Sequence, residues 1–174
     1  MGYDLPAAIG ACLAAGGKRI VCLAGDGSIM MNLQELQTIA GANLPIKVFL
    51  LNNDGYHSIR QTQQAFFAGN LHGCESASGV TFPDFGKIGP AFGIETSRVD
   101  RLDGVAAAVR KTLAAAGPAL CEVILDPAQP FSPKSSSRRL PDGRMVSSPL
   151  EDMAPFLPRD EFLENMLIPP VEAG

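Results

Sequence analysis

The tetrad Gly25-Asp26-Gly27-Ser28 follows the apolar run Ile20 to Ala24, and the pair Asn52-Asn53 closes a second apolar run, Ile46 to Leu51. A short apolar run that stops at such residues fits a strand buried on both faces of a parallel sheet. In an open parallel α/β sheet, ligands bind at the loops that follow the strand C-termini. Asp26 and Asn53 stand on two such loops. A carboxylate and an amide carbonyl are hard oxygen donors suited to Mg²⁺, which is held by few protein ligands together with phosphate. Gly25 and Gly27 let backbone N–H groups approach a phosphate, and a helix start after them favours its negative charge. Gly-Asp-Gly alone is also an ordinary tight turn. The asparagine pair on the second strand end tips the reading toward a cofactor site.

Three segments carry a family resemblance. GDGSIMMNLQEL followed by LPIKVFLLNNDGY resembles the cofactor signature of thiamine diphosphate enzymes, which runs from GDG to a terminal NN, and the interval from Asp26 to Asn53 fits the narrow spacing of that signature. MGYDLPAAIGA resembles the MGYGLPAAIGA stretch of acetolactate synthase large subunits, and RQTQQAFFAGN resembles their RQWQ segment. The similarity runs from Met1 to about Pro130. It implies that Asp26, the Asn53 side chain and the Gly55 carbonyl hold Mg²⁺, that Gly25, Gly27 and Ser28 meet the diphosphate, and that Tyr56 belongs to the same cofactor site. It also implies a bulky apolar side chain, here Met1, beneath the cofactor, bending its two rings into a V. Against that stands the ordinary mobility of a terminal residue.

The rest of the chain reads as alternating elements. Leu5 to Ala15 is a helix stopped by Gly16-Gly17, and Arg19 to Ala24 a strand. Asn32 and Glu35 have the spacing of a capping box for a helix running to about Ala42, and Ile46 to Leu51 is the second strand. Ser58 to Phe67 and Pro83 to Phe92 read as helices, with a turn-rich stretch from Gly69 to Thr81 between them. Ile94 to Val99, Gly104 to Ala116 and Leu120 to Leu125 then give strand, helix and strand. The expected fold is α/β, a doubly wound parallel sheet with helices on both faces, in a domain covering 1–130 that is incomplete at its N-terminus. From 131 to 174 proline, serine and charge take over, and an irregular C-terminal arm is expected to pack on a neighbour, with helical periodicity only from Arg159 to Leu167.

Composition narrows the function classes. The 174 residues suit one domain with a sizeable core. No apolar stretch approaches membrane-spanning length, and the first residues lack the basic start of a signal peptide. A net charge of −4 argues against a nucleic-acid surface, and Lys134, Arg138 and Arg139 read as a solvated cluster. Cys12, Cys22, Cys74 and Cys121 show no Cys-x-x-Cys spacing and fit a reducing cytoplasm, while His57 and His72 are not placed to complete a zinc site.

The resemblance implies action on 2-oxo acids, by decarboxylation and acyl-anion transfer. It also implies a glutamate that activates the cofactor from a separate pyrimidine-binding domain, usually on another subunit of a homo- or hetero-oligomer. Glu35, Glu75 and Glu95 do not match its motif, so no catalytic residue is expected in this chain. The chain also carries no counterpart of the middle, flavin-associated domain, which leaves FAD use by the full enzyme open. On the substrate side Thr62 replaces the Trp of RQWQ and Ser58 a common Met. These residues either line a smaller, more polar pocket or form an exposed helix face. His57 is either a proton shuttle near neutral pH or, in preference, a solvated loop histidine. A simple decarboxylase component and a non-catalytic cofactor- or partner-binding fragment are the alternatives.

Overall fold

The computed structural model describes residues 1–139 and 142–170, with only the backbone described at Arg138 and Arg139, so two of the three side chains in the basic cluster lie outside it. The chain divides into two units, Met1–Gln129 and Pro130–Gly174.

In the first unit the elements run α1 (Asp4–Ala14), β1 (Ile20–Gly25), α2 (Asp26–Ile29), α3 (Glu35–Gly41), β2 (Ile46–Asn52), α4 (His57–Phe66), α5 (Phe85–Ala91), β3 (Glu95–Val99), α6 (Leu102–Ala114) and β4 (Ala119–Ile124). The four strands form one sheet in the order β1-β2-β4-β3, with every pairing parallel. Parallel neighbours need crossover connections, and the helices between the strands supply them.

Alternation along β2 divides the core. Ile46, Val48 and Leu50 pack with Leu5, Ala8 and Cys12 of α1, Leu36 and Ile39 of α3, and Phe85 of α5. Phe49 faces the other way, packing with Val99, Cys121 and the apolar face of α6 through Val105, Ala108, Val109 and Leu113. Helices therefore cover both faces, as a doubly wound sheet requires.

Lys47 lies inside this buried strand at 1% exposure. Its Nζ donates to the Ala115 carbonyl at 2.7 Å and also to that of Gly117. The lysine thus satisfies acceptors that the end of α6 leaves without intrahelical donors. Burial lowers its pKa, with Arg19 adding to the effect.

The capping box expected at Asn32 and Glu35 does not form. Gln34 precedes α3 without a side-chain cap. Asn32 turns its amide nitrogen to the Gly2 carbonyl, and Glu35 accepts from Thr38 Oγ1 at 2.9 Å. A tertiary acceptor has taken the capping side chain. At α5 the helix starts after Asp84, whose carboxylate accepts from Gly86 N at 3.1 Å.

The second unit contains a feature the sequence reading missed, an antiparallel pair of β5 (Ser137–Arg139) and β6 (Met145–Ser147). It also contains α7 (Arg159–Asn165). Arg159 binds Asp152 through Nη1 and Nη2 at 2.7 and 2.9 Å, and its guanidinium lies 4.8 Å from the centre of the Phe162 ring. This combination of a bidentate ion pair and a cation–π contact joins α7 to the segment before it.

Candidate cofactor site at the strand ends

Because β1 and β2 are paired in parallel with Gly25 opposite Leu51, the loops leaving their C-terminal ends are neighbours. Asp26 is the first residue after β1 and is 1% exposed. Its Oδ1 accepts from Gly27 N at 2.8 Å, and its Oδ2 accepts from Gly55 N on the other loop at 2.8 Å. Burial pushes the Asp26 carboxyl above its ordinary pKa, the N–H groups of Gly55, Gly27 and Asn53 pull it back in part, and the charge of Asp54 adds to the upward push.

The two asparagines divide their labour. Asn52 Nδ2 donates to buried Glu122 on β4 at 2.7 Å, and its Oδ1 accepts from Asp54 N at 3.1 Å, an Asx turn that starts the loop. Asn53 Oδ1 is buried and accepts no hydrogen bond. A buried acceptor with no donor costs about 1–3 kcal/mol, so this oxygen needs a partner.

Gly55 has φ +135, and a Cβ there would collide with the Cys74 carbonyl oxygen. That carbonyl accepts from Tyr56 N at 2.7 Å, which joins the Asn53 loop to the turn around residue 75. A Cβ on Gly27 would enter the Tyr56 ring, so Tyr56 lies directly over the Gly-Asp-Gly turn. Phe82 supports that ring edge-on at 6.4 Å. The helix opening at Asp26 is a single four-residue turn, so the dipole expected there is slight.

At the chain start, Gly2 N donates to Ser28 Oγ at 2.8 Å while Asn32 donates to the Gly2 carbonyl. Ser28 keeps its own hydroxyl proton for another acceptor. Met1 is attached to this clip and is 75% exposed.

On α4 the expected pocket residues separate. Ser58 and Thr62 are exposed, with Thr62 Oγ1 donating to the Ser58 carbonyl at 2.9 Å. His57 is 7% exposed, which corrects the preference for a solvated histidine: it opens α4 and turns inward with Arg60. Arg60 and Glu75 were missed by the sequence reading. The only signal was an arginine in a helix otherwise rich in glutamine, and it did not say which way that side chain turns.

Among the described residues no three His, Cys, Asp or Glu side chains cluster to hold a metal. One buried carboxylate and one orphaned amide oxygen remain, a sparse set of hard oxygen donors that fits Mg²⁺ shared with a phosphate ligand better than zinc.

A parallel sheet with glycine-lined strand ends and oxygen donors on two adjacent loops defines a cofactor-binding α/β domain. Residues 1–123 match the family model described as thiamine pyrophosphate enzyme, C-terminal TPP binding domain, and the chain belongs to that family. It is 43% identical over 129 residues to acetolactate synthase isozyme 2 large subunit of Escherichia coli, covering 72% of this chain and 22% of that protein. It is 42% identical over 130 residues to acetolactate synthase 2, chloroplastic, of Zea mays, covering 72% and 20%. The acetolactate synthase large subunit of Pyropia yezoensis is 39% identical over 125 residues, covering 71% and 21%. The chain spans about a fifth of the length of these relatives.

Proposed function

We propose that this chain supplies the diphosphate- and Mg²⁺-binding part of an acetolactate synthase-like enzyme acting on 2-oxo acids. Asp26, Asn53 Oδ1 and the Gly55 carbonyl hold the metal, and Gly25, Gly27, Ser28 and Tyr56 surround the diphosphate. The observation that carries the reading is Asn53 Oδ1, a buried acceptor without a donor on a residue whose backbone N–H reaches the buried Asp26 carboxylate. A cation held there would satisfy both groups at once and offset the repulsion between Asp26 and a bound polyanion.

When bound, thiamine diphosphate supplies a carbanion nucleophile and an electron sink for decarboxylation. The residues of this chain bind and orient. Asp26 is kept aimed by the N–H groups of Gly27 and Gly55. Ser28 accepts from Gly2, which leaves its hydroxyl proton for a phosphate oxygen. Met1, attached to that clip, stands ready to support the cofactor rings from below. Exposed Ser58 and Thr62 contribute the substrate side in the assembled enzyme, while His57 stays turned inward.

The activating glutamate comes from a pyrimidine-binding domain outside these 174 residues, on the same enzyme or a separate subunit of an oligomer. Four buried, unpaired cysteines support a reducing, cytoplasmic setting. Among the described residues no helix is long and apolar enough to cross a membrane.

The test is turnover of pyruvate. The chain alone should give none, and addition of a pyrimidine-binding domain with thiamine diphosphate and Mg²⁺ should give carbon dioxide release that EDTA removes. Release by the purified chain alone, or release indifferent to EDTA in the reconstituted enzyme, would overturn the reading.

A further inference from the structure

Arg60 is buried at 4% exposure, and its guanidinium gathers groups from three places in the chain. Nη2 donates to the carbonyls of Asn53 and Asp54 at 3.2 and 2.8 Å, Nη1 donates to the carbonyl of Pro127 beyond β4 at 2.9 Å, and Nε lies 2.6 Å from Glu75 Oε2. Two main-chain contacts and one between side chains add to this closure. Gly55 and Glu75 form an isolated antiparallel bridge, Tyr56 N donates to the Cys74 carbonyl, and Ser76 Oγ donates to Asp54. The Nη2 contacts and these three close on residues 53–56, the segment that carries the orphaned amide oxygen.

We infer that Arg60, held by Glu75, is a positioning residue that fixes the Asn53–Gly55 loop so that Asn53 Oδ1 and the Gly55 carbonyl meet the metal together with Asp26. The inference rests on the Mg²⁺ reading of the site. The loop needs such an anchor. It leaves the sheet after Asn52, Asp54 has φ +59 and Gly55 has φ +135, so no regular backbone ladder fixes it. Metal ligands must be placed to within about 0.2 Å.

Arginine suits three carbonyl acceptors and a carboxylate counter-ion at once, because its planar fork presents five donors in fixed directions whereas lysine offers three from a single atom. Glu75 neutralises a cation that would otherwise stand uncompensated near a metal. Arg60 touches neither the metal nor the substrate. It acts through the backbone of the residues that do.

The experiment compares the parent, Arg60→Met, Arg60→Lys and Glu75→Gln in the intact protein that carries this chain. One readout is the Mg²⁺ concentration giving half-maximal thiamine diphosphate binding, and the other is hydrogen exchange at Gly55 and Tyr56. Loss of a group that orients a metal ligand lowers metal affinity about 10–100-fold. Arg60→Met should shift the Mg²⁺ half-point by that factor and expose the two amides, while the amides of β2 and β4 stay protected. Arg60→Lys should recover only part of the shift. If Arg60→Met does not fold, Arg60→Lys and Glu75→Gln carry the same test with smaller shifts.

Leu113→Ala on α6 is the control for loss of stability alone, and it should leave the half-point in place. An unchanged half-point with intact protection in the Arg60 variants overturns the inference, as does an equal shift in Leu113→Ala. A parent that binds thiamine diphosphate without regard to Mg²⁺ overturns the metal reading itself, a separate failure visible before any variant is made.

Discussion

Asn53→Leu should reverse the sign of its effect when the metal is added. Leucine approximates asparagine in shape but has no acceptor, so it removes an oxygen that is buried and accepts no hydrogen bond. The penalty relieved is about 1–3 kcal/mol. For a unit the size of Met1–Gln129, each kcal/mol moves a thermal midpoint by about 2–8 °C. In EDTA the variant should therefore melt at or several degrees above the parent.

With Mg²⁺ and thiamine diphosphate near one hundred times Kd, the parent should gain about 2.7 kcal/mol from binding. The variant, short of one metal ligand, should gain little, so the order of the midpoints inverts. Scanning calorimetry on both proteins, with EDTA and with the metal and cofactor, reads all four values. If Asn53→Leu melts well below the parent in EDTA yet keeps the full metal-dependent increment, the Asn53 oxygen was serving the fold rather than the cation.

Other substitutions probe the surroundings. Gly27→Ala drives a methyl group into the Tyr56 ring and should weaken cofactor binding by displacing that ring, at an overpacking cost of about 1–3 kcal/mol; calorimetric titration should find reduced affinity with the fold intact. Lys47→Met strands the Ala115 and Gly117 carbonyls and should lower urea stability by about 1–3 kcal/mol, and no loss would mean those acceptors find water. Burial first, and the charge of Asp4 second, push the Cys22 thiol from 9.0 up to about 11. The folded chain holds that proton more tightly than the unfolded one, so this contribution to stability is complete below pH 9 and is lost as pH rises through about 11. At about pH 8, iodoacetamide should label Cys22 about a hundredfold more slowly than an ordinary thiol, and labelling at the ordinary rate would contradict the burial.

The strands and most helices were legible because period and punctuation are local properties. Ile46 to Leu51 ended at an asparagine, Gly16-Gly17 marked a helix end, and the sheet followed from the alternation. The placement of Asp26 and Asn53 at the ends of their strands was legible for the same reason. What escaped the sequence depends on distant partners. Asn32 has a capping residue's chemistry but found the Gly2 carbonyl instead, and Lys47 is tolerated inside a strand only because the end of α6 arrives opposite it. His57, read as a solvated loop residue, became buried because α4 begins one residue earlier and turns that side inward with Arg60. The pairing of Arg60 with Glu75 joins a helix to a turn with no repeating pattern between them, so spacing carried no sign of it. The β5–β6 pair has strands of only three residues, too short for alternation to stand out.

The most direct test is isothermal titration of thiamine diphosphate, with and without Mg²⁺, into the parent and Asp26→Ala, each complemented by a pyrimidine-binding domain. The account predicts Mg²⁺-dependent binding by the parent and, in Asp26→Ala, loss of that dependence with affinity falling at least about tenfold as a coordinating carboxylate disappears. Equal, Mg²⁺-dependent affinity in the parent and in Asp26→Ala would contradict it.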